Sequence, residues 1–427
     1  MFIKRLSLKN FRNYESQDFE FDCGINILTG ANAQGKTNCA EAIFFLCTGY
    51  SPRANKDKLL VKHDKDSAEI LGIAQSRYGE VSVKIQFNKL DKKSIYINQL
   101  QVLKVGELLG NINSVFFNPQ ELKLVQESPE DRRRFMNISL SQMSKNYFYA
   151  LQRYNKILSQ RNNLLKDPDK TLIKETLPIW DEQLSKEAGK IIKARNDFLT
   201  ELSPIASSKH ALLSDNKEEL KMRTESGYYG SEEDIAFALK EDLKVGLERD
   251  MRLGFTSIGP HRDDIKFTLN GDDVRVFGSQ GQQRTVALSL KLAEAEIFYN
   301  KFGEYPILIL DDVLSELDKK RQKKLISLSQ GLQTVFTCTG IDRTVFKGID
   351  YNKIRPLLAF DKESCYPKQC IKCEVSSCCR WCPAENYDSS ETGTVFQRTT
   401  TVCNLHKANV RVKNYYWNKV NMLKNER

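Results

Sequence analysis

Eight residues near the start of the chain, Gly30-Ala31-Asn32-Ala33-Gln34-Gly35-Lys36-Thr37, have the make-up of a loop that holds phosphate. Glycines at its two ends let the backbone turn tightly and aim N–H groups at an anion. Lys36 is placed to reach the outer phosphates of a nucleoside triphosphate, and the Thr37 hydroxyl to ligate Mg²⁺. Asn38 opens a helical run whose N-terminus adds partial positive charge. Far along the chain, Ile307-Leu-Ile-Leu310 is an apolar run tipped by Asp311 and Asp312. Asp311 suits Mg²⁺, directly or through water. Asp312, pointing the other way from the strand end, suits a general base that polarises a water. Just before that run comes Ser279-Gln280-Gly281-Gln282-Gln283-Arg284. Ser279 is a good N-cap with Gln282 at capping-box spacing, which alone explains the pair structurally. The same hydroxyl and the free N–H groups of that turn, at Gly281 and Gln282, can equally face a γ-phosphate held by a second molecule. The order of the three motifs favours this second use: ATP shared between two copies of the chain.

These groups need elements to hold them. Phe2–Leu8 has strand character, Ile25–Leu28 is a strand feeding the glycine loop, and Asn38–Leu46 is a helix behind it. Val81–Phe87 alternates as a half-buried strand does. From Asp131 to about Leu202 apolar residues recur at helical spacing, with Lys and Arg between them. Ser207 to about Glu241 is polar and without clear period. Leu253–Leu269 reads as sheet, Val286–Tyr299 as helix, and Pro306–Leu310 and Thr334–Thr339 as buried strands. The expected fold is therefore α/β: a P-loop ATPase head split into 1–125 and 251–358 by a helical insertion at 126–250, with a cysteine-rich tail at 361–427. No heptad pattern is sustained, and the insertion is too short for a long coiled coil.

With 427 residues, 40% hydrophobic and 28% charged, the composition is that of a soluble protein of two or three domains. No apolar run approaches the ~18 residues of a membrane span, and no signal peptide is visible, so a cytoplasmic location is expected. A net charge of +10 is compatible with nucleic acid and equally with a solvated basic surface. Cys23, Cys39, Cys47 and Cys338 lie in apolar or small-residue settings and read as buried thiols. Seven other cysteines crowd the tail. Among them Cys370-x2-Cys373 and Cys379-x2-Cys382 have metal-ligand spacing, for Zn²⁺ or an iron–sulfur cluster, with Cys378 competing with Cys379 as ligand.

The order of phosphate loop, helical insertion, serine-led signature and Asp-Asp strand end resembles an ATP-binding-cassette ATPase of the SMC type. Within that group the chain is similar to the RecF family of bacterial DNA replication and repair proteins. The likeness rests on Leu8-Lys-Asn-Phe-Arg-Asn-Tyr14, Gly30-Ala-Asn32, Phe117-Asn-Pro119, Ser128-Pro129 with Arg132-Arg133, Gln160-Arg-Asn162, Gly259-Pro-His-Arg-Asp-Asp264 and Leu314-Ser-Glu-Leu-Asp318. It implies ATP-driven head-to-head dimerisation, slow hydrolysis, and DNA binding at gaps and single-strand/double-strand junctions. It also implies loading of the recombinase RecA through a RecR-type partner, and a part in the SOS response. Cassette ATPases sense Mg²⁺ through a glutamine after the central strand, for which Gln120 is the matching position. Their transporter-type switch histidine is absent, replaced by Thr337-Cys-Thr-Gly340.

DNA contact needs Lys and Arg that meet phosphates. Arg132, Arg133, Arg134, Arg153, Lys156 and Arg161 on the insertion are candidates, as are Lys4, Arg5, Lys9 and Arg12, though Arg132 and Arg133 could instead pair within the fold. The tail from Cys373, with Cys403-Asn-Leu-His406 and Asn414-Tyr-Tyr-Trp417, resembles the C-terminus of radical-SAM peptide maturases, which implies an auxiliary iron–sulfur cluster. The C-x-x-x-C-x-x-C triplet of a radical-SAM core is missing. A RecF-like ATPase with a defence or other non-repair role, and a metal-cluster protein led by the tail, are the alternatives.

Overall fold

The computed structural model describes residues 1–90 and 92–339. The tail cysteines Cys370, Cys373, Cys379 and Cys382, and the boundary expected near Phe360, lie outside the described residues.

Strand β1 (Phe2–Lys9) buries Ile3, Leu6 and Leu8 and leaves Arg5 and Lys9 outside. The interval of three between Ile3 and Leu6 breaks strict alternation. A register shift between Ile3 and Arg5, where β1 meets its neighbour, restores the inward face. β1 lies in an antiparallel sheet with β2 (Ser16–Glu20), β4 (Ser67–Ser76), β5 (Gly79–Asn88), β6 (Lys93–Ile97) and β7 (Leu100–Val102), in the order β2-β1-β4-β5-β6-β7. A second sheet is parallel, with order β3 (Ile25–Thr29), β13 (Thr334–Cys338), β12 (Ile307–Asp311) and β8 (Ser114–Phe117). β12 and β13 are buried at every residue, as the apolar run Ile307–Leu310 requires of β12, while β13 buries Thr334 and Thr337 beside Val335 and Phe336.

Helix α1 (Lys36–Thr48) is buried from Cys39 to Thr48. Its side chains share one core with Ile3, Leu6, Leu8, Ile70 and Ile85 of the antiparallel sheet and with Ile307, Ile309 and Val335 of the parallel one. A helix apolar all round must be covered all round. The phosphate loop that precedes it is thereby fixed between the two sheets.

The 129–214 stretch forms α2 (Pro129–Met143), α3 (Lys145–Leu164) and α4 (Lys170–Ser214). α4 runs past the expected end near Leu202 and through Pro178 and Pro204. The segment without clear period hides β9 (Leu220–Thr224), which pairs with β10 (Ile265–Leu269), itself paired with the two-residue β11 (Asp272–Asp273). α5 (Glu232–Val245) begins at a Ser231–Asp234 capping box, and α6 (Leu247–Leu253) follows. Sheet was expected from Leu253. The strand begins only at Ile265, and the residues between α6 and β10 are a loop whose polar side chains are claimed by the buried pairs described below. α7 (Gln280–Phe302) carries the signature, and α8 (Lys319–Leu328) follows the acid-tipped strand. Cys39, Cys47 and Cys338 are buried, whereas Cys23 is exposed in the turn before β3, contrary to expectation.

Candidate nucleotide site

Gly35 is the N-cap of α1 at φ 97°, a conformation that L side chains rarely adopt. A Cβ there would come within 2.7 Å of the Tyr14 hydroxyl oxygen, which donates to the Gly35 carbonyl at 3.0 Å. Asn13 and Tyr14 thus form a wall against the loop. Ala33 also sits at positive φ, 68°. Lys36 Nζ donates to the carbonyls of Gly30 (2.7 Å) and Ala31 (2.8 Å), so the loop curls around its own ammonium. The Thr37 hydroxyl donates to Asp311 Oδ1 at 2.9 Å, across 274 residues of sequence. The parallel sheet makes that contact by setting β12 beside β13, whose neighbour β3 runs into the glycine loop.

Thr337 on β13 completes the cluster. Its hydroxyl donates to Asp311 Oδ1 at 2.5 Å and accepts the Asp312 N–H at 3.0 Å. Burial pushes the Asp311 carboxyl above its ordinary range, against the pull of the two threonine hydroxyls. Asp312 sits at φ 54°, turned out of the strand geometry, with its carboxylate accepting from Ser315 at 2.9 Å. A cleft of about 370 Å³ opens here, lined by Asn13, Asn32, Ala33, Gly35, Lys36, Thr37, Asn38, Arg53, Asp312, Thr337 and Thr339. These residues fit a magnesium–triphosphate group. One ammonium and one guanidinium face the cleft, the glycine cradle leaves no room for a Cβ, and a hydroxyl and a carboxylate meet as hard oxygen donors.

Ser279 and Gln282 form a reciprocal capping box. The Gln282 N–H donates to Ser279 Oγ (3.3 Å), and the Ser279 N–H to Gln282 Oε1 (2.8 Å). Ser279 is exposed, and neither it, Gly281 nor Gln282 lines the cleft around Lys36. Val276 and Phe277, just before it, are 67% and 73% exposed. Gln120 does not line that cleft either. It lines a separate hollow with Pro52, Asn118 and Arg134.

Sequence reasoning missed a buried anchor behind the loop. Glu41 on α1 is fully buried and accepts from Arg12 Nη2 (2.7 Å) and Nε (2.9 Å) and from Ser51 (2.5 Å), with Arg53 at 3.5 Å. Arg53 also donates to Asn38 at 3.1 Å and so reaches the cleft. A lone Glu inside an apolar helix signals a buried partner, but nothing local names Arg12, whose charge reads in sequence as a DNA candidate.

Two further DNA candidates are corrected. Arg132 is 3% exposed and grips Asp264 with two nitrogens (2.5 and 2.9 Å). Arg161 is 0% exposed among Asp181 (2.6 Å), Asp250 (2.8 Å) and Thr256 (2.9 Å). Desolvated guanidinium groups paired with carboxylates cannot reach a phosphate backbone. Arg133 donates to the Asp263 carbonyl and is half-buried, and Arg153 is exposed but paired with Glu187 at 2.9 Å. Lys156 is exposed on α3. The Gly259–Asp264 segment serves the same structural end: Arg195 donates to the Pro260 carbonyl (2.6 Å) and to Asp263 (3.1 Å).

Comparison with known proteins places this arrangement. The RecF/RecN/SMC N-terminal domain model matches residues 2–354, ending before the cysteine-rich tail. The chain is 42% identical over 345 residues to the DNA replication and repair protein RecF of Clostridium botulinum (strain ATCC 19397 / Type A), covering 80% of this chain and 93% of that protein. The RecF of Clostridium kluyveri is 44% identical over 344 residues, covering 80% and 94%. A solved structure of the recombination mediator protein RecF-ATPrS in the RecFOR pathway superposes with a TM-score of 0.74 at 37% identity, over 80% of this chain and 93% of that one. The phosphate loop, the threonine–aspartate contact and the capped signature helix therefore sit in the SMC-type ATPase head of a chain that belongs to the RecF family of DNA replication and repair proteins.

Proposed function

We propose that this protein binds ATP with Mg²⁺, dimerises head to head around it, and in that state holds DNA at gaps and single-strand/double-strand junctions. The observation that carries the reading is the split of the site. Lys36, Thr37 and Asp311 converge within one protomer, while the exposed Ser279 helix N-terminus lies off that cleft, free to meet another. Residues 126–250 act as a helical lobe between the two parts of the head, 1–125 and 251–358. ATP-bound relatives of the RecFOR pathway support the nucleotide, and that pathway favours a RecR-type partner, recombinase loading and a part in the SOS response. The cytoplasm suits such work, and among the described residues no helix is long and apolar enough to cross a membrane.

The roles follow from the contacts. Lys36 exchanges its two carbonyl partners for phosphate oxygens, and the loop N–H groups add to the same anion site. Thr37 and Asp311 would hold Mg²⁺, which supplies charge neutralisation on the phosphates. Asp312, held by Ser315 and by the Thr337–amide bonds, is the carboxylate able to accept a proton from a water in the cleft, at a slow turnover. Lys36→Ala is expected to abolish ATP binding and the ATP-dependent dimer seen by sedimentation. An unchanged dimer in that variant overturns the proposal. A gel shift on gapped duplex with and without ATP separates repair from a non-DNA role, and its salt slope counts the phosphates engaged, with Arg153 and Lys156 as exposed contributors. The tail is tested apart from this, by zinc, iron and sulfide content after anaerobic purification.

A further inference from the structure

We infer that Glu218 is a positioning residue for the signature, and that the turn carrying it ties the long helix α4 to the composite nucleotide site. Gln282 joins the two parts. Its Oε1 accepts the Ser279 N–H, and its Nε2 donates to Glu218 Oε1 at 2.9 Å. One side-chain amide thus joins the N-cap of α7 to a carboxylate that is only 16% exposed. The other Glu218 oxygen lies 2.9 Å from Nε2 of His210, a fully buried residue near the end of α4. His210 Nδ1 in turn lies 3.3 Å from the Ser289 hydroxyl, two turns further along α7. Glu218 and His210 therefore touch the signature helix at its cap and at its body.

The turn is held from the opposite side as well. It leaves α4 through two consecutive left-handed residues, Asp215 (φ 60°) and Asn216 (φ 57°). Asp215 pairs with Lys320 and Lys324 of α8, each at 2.6 Å, and Lys324 also donates to the Leu213 carbonyl. α8 is capped by Asp318, six residues after Asp312. One short turn, at the end of the helix that runs the length of the lobe, thus contacts the helix that presents Ser279 and the helix that follows the acidic pair. A rotation of α4 moves the serine this protomer lends to one composite site together with the acidic pair it lends to the other. Without Glu218 the Gln282 amide loses the partner that fixes its orientation, and the capping box loosens.

The inference rests on the reading that Ser279 acts on a nucleotide held by a second copy, and the two fail differently. If the wild-type chain does not dimerise with ATP, the dimer reading fails, and with it the role given to Glu218. Given a wild-type dimer, Glu218→Ala should weaken ATP-dependent dimerisation in sedimentation by on the order of tenfold, the worth of one charge-assisted hydrogen bond. Binding of a fluorescent ATP analogue to the monomer, which uses the Lys36 cleft, should be unchanged. Glu218→Gln, which keeps an acceptor for Gln282, should recover most of the loss. Dimerisation of Glu218→Ala at wild-type strength overturns the inference. So does an equal loss of monomer nucleotide binding, or a Glu218→Gln variant no better than Glu218→Ala, since either marks mere damage to the fold.

Discussion

His261 shows how tightly one residue of the family motif is committed. Its Nδ1 accepts from the Tyr154 hydroxyl at 2.6 Å and its Nε2–H donates to the Thr256 carbonyl at 3.0 Å, an assignment made from the partners. Both nitrogens are satisfied by a neutral ring. Burial pushes its pKa down to about 4, and Arg262 and Arg133 act in the same direction, while the Thr256 carbonyl and Asp250 oppose them. In the unfolded chain the ring titrates near 6.5. Between those two values the unfolded chain carries a proton that the folded one refuses. Stability from this group is therefore complete above about pH 6.5 and falls as pH drops toward 4, by up to roughly 3 kcal/mol. The melting temperature of the wild type should fall more steeply between pH 7.5 and 5 than that of His261→Gln. Parallel profiles would show that another group governs the acid limb.

Elements differ in how much of themselves they show in sequence. β12, β13 and most of α1 were legible because they are buried, and runs of apolar and small residues without exposed charge have no competing explanation. The glycine loop was legible because its chemistry demands particular residue types at fixed spacing. α4 was legible only as helical sequence, since proline normally ends a helix at a cost of about 3 kcal/mol. Here Leu177, Leu184, Ala188, Ile191, Ile192 and Leu202 are all fully buried along it, and that packing outweighs the two breaks. β9 was hidden because its partner β10 lies about forty residues on, and pairing at that distance leaves no local period. The arginines misled for a related reason: charge is visible in a sequence, and burial of charge is not. Gly189 of α4 gives a test of the same packing. An alanine in a helix ordinarily stabilises by about 1 kcal/mol over glycine. A methyl at Gly189, however, would overlap the Glu232 carbonyl oxygen at the start of α5 and lie 3.1 Å from Ala236 Cβ. Overpacking against backbone costs about 1–3 kcal/mol and should win. Gly189→Ala is thus expected to lower the urea midpoint, and a raised midpoint would mean that α4 and α5 can separate freely.

At the scale of the whole molecule the proposed dimer divides its labour between two copies. Each protomer offers a cleft around Lys36 and, elsewhere on its surface, the capped serine beside the exposed Val276 and Phe277. In the proposed two-fold pair the serine of each copy meets the cleft of the other, which gives two equal sites. Lys36→Ala removes the cleft but leaves the serine; Ser279→Arg removes the serine but leaves the cleft. In a one-to-one mixture neither variant pairs with itself, so the pairs that form contain one of each variant, and in such a pair the intact cleft faces the intact serine. The other site in that pair is doubly defective. Turnover by the mixture should return to at most about half of the wild-type rate, one working site in two, although each variant alone is inactive. If both sites must fire together the rate stays low, but the mixture still forms pairs with a non-hydrolysable analogue, which neither variant does alone. A mixture that neither pairs nor turns over would mean that Ser279 serves only as the cap of its own helix.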